Sequence, residues 1–264
     1  MARKIVITSG KGGDGKTSIT ASIGTSLANR GNMVLLIDGD VGLNNLDVVM
    51  GMESRVVYDM SDVIDGKCGI SQALIQDETC ENLYVLPSAH AYSNERISVA
   101  VFKQIIDSLN QTFDFILIDC PAGIEGSFHR AVCGAEEAIV ITTPHTSAIR
   151  DADKVLTILQ SYALRQVDVI VNRMRGDLVL MGKMMQPNEI SKVLRANLLG
   201  IVPEDDGITV YSQLGRIGLS NTPSKLSFDM IADNILSGQK RLFDVTQRYK
   251  SVFGKIKMFV ERRL

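Results

Sequence analysis

The sequence predicts an α/β domain with a doubly wound, mostly parallel sheet covered by helices on both faces. Three observations carry that expectation. Short apolar runs rich in Val, Ile and Leu recur along the chain with little polar alternation, as strands buried on both faces require. Segments with apolar residues at helical spacing fall between them. A glycine-rich stretch over residues 10–18 joins the first run to the first helix.

The runs are Lys4–Thr8, Met33–Asp38, Leu83–Leu86, Phe115–Asp119, Ala138–Thr142, Val167–Val171 and Leu199–Val202. Ile19, Ile23 and Leu27 line one face of a helix that stops near Gly31, and Val155, Leu156, Leu159 and Tyr162 mark a later one. No internal repeat, low-complexity tract or Gly/Pro-rich linker interrupts this alternation. Residues 1–238 therefore read as one domain, and 239–264 as an appended segment of different character.

The 264 residues are 45% hydrophobic, the composition of a globular chain with a large core, and the formal charge of −2 gives no overall bias toward nucleic acid. Cys68, Cys80, Cys120 and Cys133 form no Cys-x-x-Cys pair and sit at no metal-finger spacing from His90, His129 or His145, so they read as reduced thiols of a cytosolic protein. The start of the sequence is charged and leads straight into a strand, unlike a secretory leader. No apolar stretch approaches the ~18–20 residues that span a bilayer, so any membrane contact is expected to be peripheral.

Residues Gly10, Lys11, Gly12, Gly13, Asp14, Gly15, Lys16, Thr17 and Ser18 fit the G-x-x-x-x-G-K-[ST] phosphate loop, with a strand before and a helix after, the context that gives the motif its meaning. The glycines let the backbone turn its N–H groups toward phosphate oxygens, and the helix N-terminus adds partial positive charge. Lys16 is expected to reach the β- and γ-phosphates of ATP, and the Thr17 hydroxyl to take a position on Mg2+. Asp38, Asp40 and Asp119 end apolar strands, and in a parallel sheet that end faces the ligand crevice. Asp119, at the end of Phe115–Ile118, fits the role of holding magnesium through water.

Lys11 is a second lysine inside the loop, and with it the motif resembles the ParA/MinD family of ATPases. The resemblance implies that Lys11 reaches across an ATP-bound homodimer to the partner's nucleotide and acts there like an arginine finger. It implies that Asp40 orients the attacking water while Asp38 also lines the site. Lys11, Lys16 and Asp40 are thus the expected catalytic residues. Asp119-Cys120-Pro121-Ala122-Gly123 resembles the family's D-x-P-A-G switch segment. Asn172-Arg173 resembles its adenine-contacting pair, and Pro203-Glu204-Asp205 its purine pocket.

The stretch Met50–Gly66, with Arg55-Val56-Val57-Tyr58-Asp59 and Asp62-Val63-Ile64-Asp65-Gly66, is similar to the division-site members of that family. Further matches are Gln72–Ile75, Glu81–Pro87, Gly134–Val140 and Ser147–Asp153. The similarity covers most of residues 2–207. It implies a switch that positions the septum by recruiting the septation inhibitor MinC, under a topological factor such as MinE, from the inner face of the bacterial cell membrane. The Arg150–Asp153 segment, with Asp151 and Asp153 expected on the exposed side of its helix, is a candidate docking face. Asp14 departs from the family, where small or apolar residues are usual. A carboxylate ~4 Å from a phosphate would cost about 4 kcal/mol at an effective dielectric near 20, so Asp14 is expected to face away or to pair with a cation, or else ATP affinity is weakened. Ser18, Gly39 and Asn44 also depart from the usual residues.

Residues 239–264 carry eight basic and two acidic side chains, a net +6 that leaves −8 on the rest of the chain. Tyr249, Val252, Phe253, Ile256, Phe259, Val260 and Leu264 fall on one stripe of a helix flanked by cations, the pattern of an interfacial helix on anionic lipid. The family's division-site members end in such a membrane-targeting helix. Two rival readings share the loop. A flagellar-number ATPase of the same family disagrees with Arg55–Asp59. A ParA-like DNA partition ATPase would need a basic domain surface, against the −8 outside the tail, so no specific nucleic acid is expected.

Overall fold

The computed structural model describes residues 1–40, 45–88, 97–121, 123–124, 126–215 and 222–250. Its strands are β1 (Arg3–Ser9), β2 (Val34–Asp38), β3 (Ile75–Gln76), β4 (Leu83–Leu86), β5 (Phe115–Asp119), β6 (Glu137–Thr142), β7 (Gln166–Met174) and β8 (Asn197–Pro203). They form one sheet in the order β3-β4-β2-β5-β1-β6-β7-β8, parallel except for the β3–β4 edge pair. The seven runs read from the sequence are all strands. Between them lie α1 (Lys16–Ala28), α2 (Leu46–Val49), α3 (Met60–Ile64), α4 (Ile70–Ala73), α5 (Val99–Ser108), α6 (Gly126–Cys133), α7 (Thr146–Leu159), α8 (Gly176–Leu180), α9 (Pro187–Leu194), α10 (Asp206–Gln213) and α11 (Pro223–Ser237).

Alternating residues of each strand feed two separate cores. Val6, Leu35, Ile37, Ile116 and Ile118 pack with Phe102 and Ile106 of α5, Phe128 of α6, Val155 and Leu159 of α7, and Ile190 of α9. Ile5, Ile7, Leu36 and Leu117 pack with Ile19, Ile23 and Leu27 of α1 and with Phe228, Ile231 and Ile235 of α11. This two-sided burial is why the runs lack polar alternation. Arg30, just past α1, ties that helix to α11 by donating to Asp229 and Asp233 at 3.1 and 2.6 Å.

The domain body extends past the expected boundary at residue 238. Asn234 of α11 donates its amide to the Arg241 carbonyl at 2.8 Å and accepts from the Arg241 N–H at 2.9 Å, which turns the chain back onto the domain. Leu242 and Phe243 then pack on the core, and Val245 enters it. Tyr249, expected to begin the membrane stripe, is instead only 2% exposed. Its ring lies 4.7 Å from the Arg248 guanidinium, which also donates to its hydroxyl. A large aromatic ring gains more from this packing than from solvent exposure. Val252, Phe253, Ile256, Phe259 and Val260 lie outside the described residues. Among the described residues no helix is long and apolar enough to cross a membrane.

Candidate nucleotide-binding site

β1 is the central strand, flanked by β5 and β6, and it delivers the loop of residues 10–15 to the C-terminal edge of the sheet. A strand order that reverses about its centre leaves a crevice at that edge. Gly15 stands at φ 92°, a left-handed conformation that needs glycine, and a Cβ there would meet the Asn172 amide nitrogen at 2.6 Å. Gly10 lies so close to α7 that a Cβ would sit 2.4 Å from the Asp151 Cβ. Gly12 and Gly13 form the exposed tip, while Thr17 and Ser18 lie in the first turn of α1.

Lys16 is 8% exposed, and its ammonium turns back into the loop, donating to Ser9 Oγ at 3.0 Å and to the Lys11 carbonyl at 3.4 Å. Ser9 Oγ in turn donates to the Lys11 carbonyl at 2.7 Å. Asp119 is fully buried and hydrogen-bonded by the Thr17 hydroxyl, with Thr20 Oγ1 also within 3.3 Å. Burial, then the charge of Asp38, pushes the Asp119 carboxyl up to about 7. Burial likewise raises Asp38 to about 6, although its oxygens accept the backbone N–H groups of Asp40, Asn45 and Leu46 at 2.9, 3.1 and 3.2 Å. Asp40 is half-buried, and burial raises its carboxyl while Lys16 and Arg130 oppose that rise.

The donor set fits magnesium. Thr17 and Asp119 supply hard oxygen ligands, and two adjacent buried carboxylates resist ionisation in the way an uncompensated cation site does. A bound Mg2+ would be held from Thr17 and, through water, from Asp119; its chemistry is to neutralise charge on the phosphates.

The residues expected at the base make the following contacts within the chain. Asn172 is buried, donating Nδ2 to the Asp14 carbonyl at 2.8 Å and accepting from the Arg173 N–H at 2.9 Å, so it braces the phosphate loop against β7. Arg173 follows at a left-handed φ of 57°. Asp205 is committed to a turn, accepting from Gly207 N–H at 2.9 Å and from Ser224 N–H at 3.3 Å. Pro203 lines an apolar hollow of about 330 Å³ with Met174, Pro223, Leu226, Phe243 and Val245. On α7, Asp153 is exposed as expected, but Asp151 is half-buried and paired with Lys154 at 3.1 Å.

Sequence reasoning missed Ser9, Thr20 and Arg130. Thr20 lies one helical turn beyond Thr17, a spacing that could have found it. Arg130 is 4% exposed on α6, donates to the Ile97 carbonyl at 3.2 Å and shares the field of Asp40. A lone basic residue within an apolar helix face was its only signal.

A family model described as "AAA domain" matches residues 2–171. The fold and site define a P-loop ATPase with a second lysine in its phosphate loop. The chain is 41% identical over 263 residues to the septum site-determining protein MinD of Bacillus subtilis (strain 168), covering 98% of each chain. It therefore belongs to the MinD family of septum site-determining ATPases. The MinC:MinD cell division protein complex of Aquifex aeolicus superposes with a TM-score of 0.84 at 38% identity, covering 91% of this chain and 97% of that one. The septum site-determining MinD of Pyrococcus horikoshii OT3, complexed with Mg-ADP, gives 0.80 at 32% identity, with 91% and 99% covered.

Proposed function

We propose that this chain is an ATP-driven membrane switch that positions the division septum. ATP and Mg2+ bind on Gly10–Ser18, with Asn172, Arg173, Pro203 and Asp205 at the purine end. The apolar wall at Pro203 and Met174 supports a stacked base there. Two chains close around two nucleotides, and Lys11 of each neutralises charge on the other's ATP. Asp40 orients the attacking water. The observation that carries this reading is the convergence of Lys16, Asp38, Asp40 and Asp119 at the end of the sheet where the phosphate loop leaves β1.

The basic apolar stripe Val252–Val260 then engages anionic lipid from the cytoplasm. Each basic side chain contributes about 1 kcal/mol near an anionic surface, so one tail is a marginal anchor and two held together bind far better. The membrane-bound dimer recruits the septation inhibitor MinC, as the complex of the Aquifex relative supports, and a topological factor such as MinE releases it through hydrolysis.

Co-sedimentation with anionic vesicles tests the reading. ATP is expected to drive the chain onto vesicles, ADP is not, and a chain ending at Tyr249 is expected to remain in solution with either. Equal sedimentation with and without ATP would overturn the switch.

A further inference from the structure

Asp14 is the one carboxylate within the phosphate loop, and the loop has folded it inward. The residue is 3% exposed. Its Oδ2 is buried and has no hydrogen-bond partner among the described residues. Its backbone carbonyl accepts from Asn172 Nδ2 at 2.8 Å, which ties this part of the loop to β7. Burial pushes its carboxyl up, and Lys11, Lys16 and Arg173 pull it back, while Asp151 of α7 adds to the rise. The three cations that oppose the rise are the ones assigned to the nucleotide. The charged group is too costly to bury for packing alone, and an apolar or amide side chain would fill the same space at less cost.

We propose that Asp14 is an affinity- and selectivity-setting residue, a built-in anion that offsets part of the positive field of Lys11, Lys16 and Arg173 and weakens nucleotide binding in proportion to phosphate charge. This rests on the reading that Lys16 and Lys11 meet phosphate. A carboxylate buried beneath the loop is poorly screened by salt and acts on every phosphate the loop holds. Its effect is largest on ATP, smaller on ADP and absent on adenosine. The consequence is a subunit that holds ATP loosely on its own and tightly once a second subunit's Lys11 adds positive charge to the same site.

The test is calorimetric titration of the full-length chain with Mg-ATP, Mg-ADP and adenosine, beside light scattering on the same samples to record mass. Asp14→Asn keeps the shape and removes the charge; Asp14→Val is the second variant should the amide fold poorly. The expected result is ATP binding tightened about tenfold, ~1.4 kcal/mol, with a smaller gain on ADP and none on adenosine. Unchanged or weaker ATP binding in both variants overturns the proposal, as does an equal gain on all three ligands, which is what a merely structural role would give. A graded gain without any ATP-dependent dimer upholds Asp14 and sinks the dimer reading. Folded chains that bind neither ATP nor ADP overturn both.

Discussion

Asp38 and Asp119 occupy paired positions at the ends of adjacent strands β2 and β5, and the charge of Asp38 is second only to burial in holding the Asp119 carboxyl near 7. Both carboxyls lie above their ordinary 3.8, so in that range the folded chain binds protons more tightly than the unfolded chain. Their contribution to stability is complete below about pH 4 and is lost as pH rises through about 6 and 7. The nucleotide-free chain is expected to melt several degrees lower at about pH 8 than at about pH 5, measured by circular dichroism. Asp119→Asn should flatten that slope and melt higher at the alkaline end, while magnesium-dependent hydrolysis falls about 100-fold.

Lys11 is half-buried, while its carbonyl receives both Lys16 and Ser9. Truncating its side chain leaves those backbone contacts intact. Lys11→Ala is expected to fold normally, lose ATP-driven dimerisation in size-exclusion chromatography, and hydrolyse ATP about 10³-fold more slowly. Wild-type dimerisation in that variant would remove Lys11 from its role in trans.

Gly10 touches the backbone of α7 at Asp151. A methyl group there must push the helix or the loop, at a cost of about 1–3 kcal/mol. Gly10→Ala should lower thermal stability by a few degrees and weaken nucleotide binding, read by fluorescent-ADP titration. Undiminished affinity would mean that the loop can move away from α7 freely.

Gly176 faces the returning C-terminal segment, where a Cβ would come within 1.9 Å of the Val245 carbonyl oxygen. Gly176→Ala is expected to lift residues 241–250 from the domain. Limited proteolysis should then cut that segment at least about tenfold faster, because cleavage follows the population of the open form. Affinity for ADP should fall only modestly.

The parallel strands were legible because burial on both faces writes itself as unbroken Val, Ile and Leu. Strand β3 was not, since Ile75–Gln76 is a two-residue edge pair too short to show any period. Strand β7 runs on to Met174, beyond the apolar run, through a register shift that places the polar Asn172 and Arg173 within it. The phosphate loop, Asp119 and the strand-end carboxylates were legible because chemistry demands those residue types at those spacings. The Gln239–Lys250 return was not. Its anchor is one amide, Asn234, reading the backbone of Arg241, and a basic composition pointed instead to the tail.

Asn172 holds the phosphate loop by the Asp14 carbonyl, and in the function proposed above it also meets the purine, which has a consequence for fidelity. On that reading one rigid side chain would be a lever between the two halves of the ligand. A nucleotide with the wrong base would disturb that lever and so misalign its own phosphates. Discrimination against GTP should then show in kcat as well as in KM, the enzyme turning over slowly what it has failed to recognise.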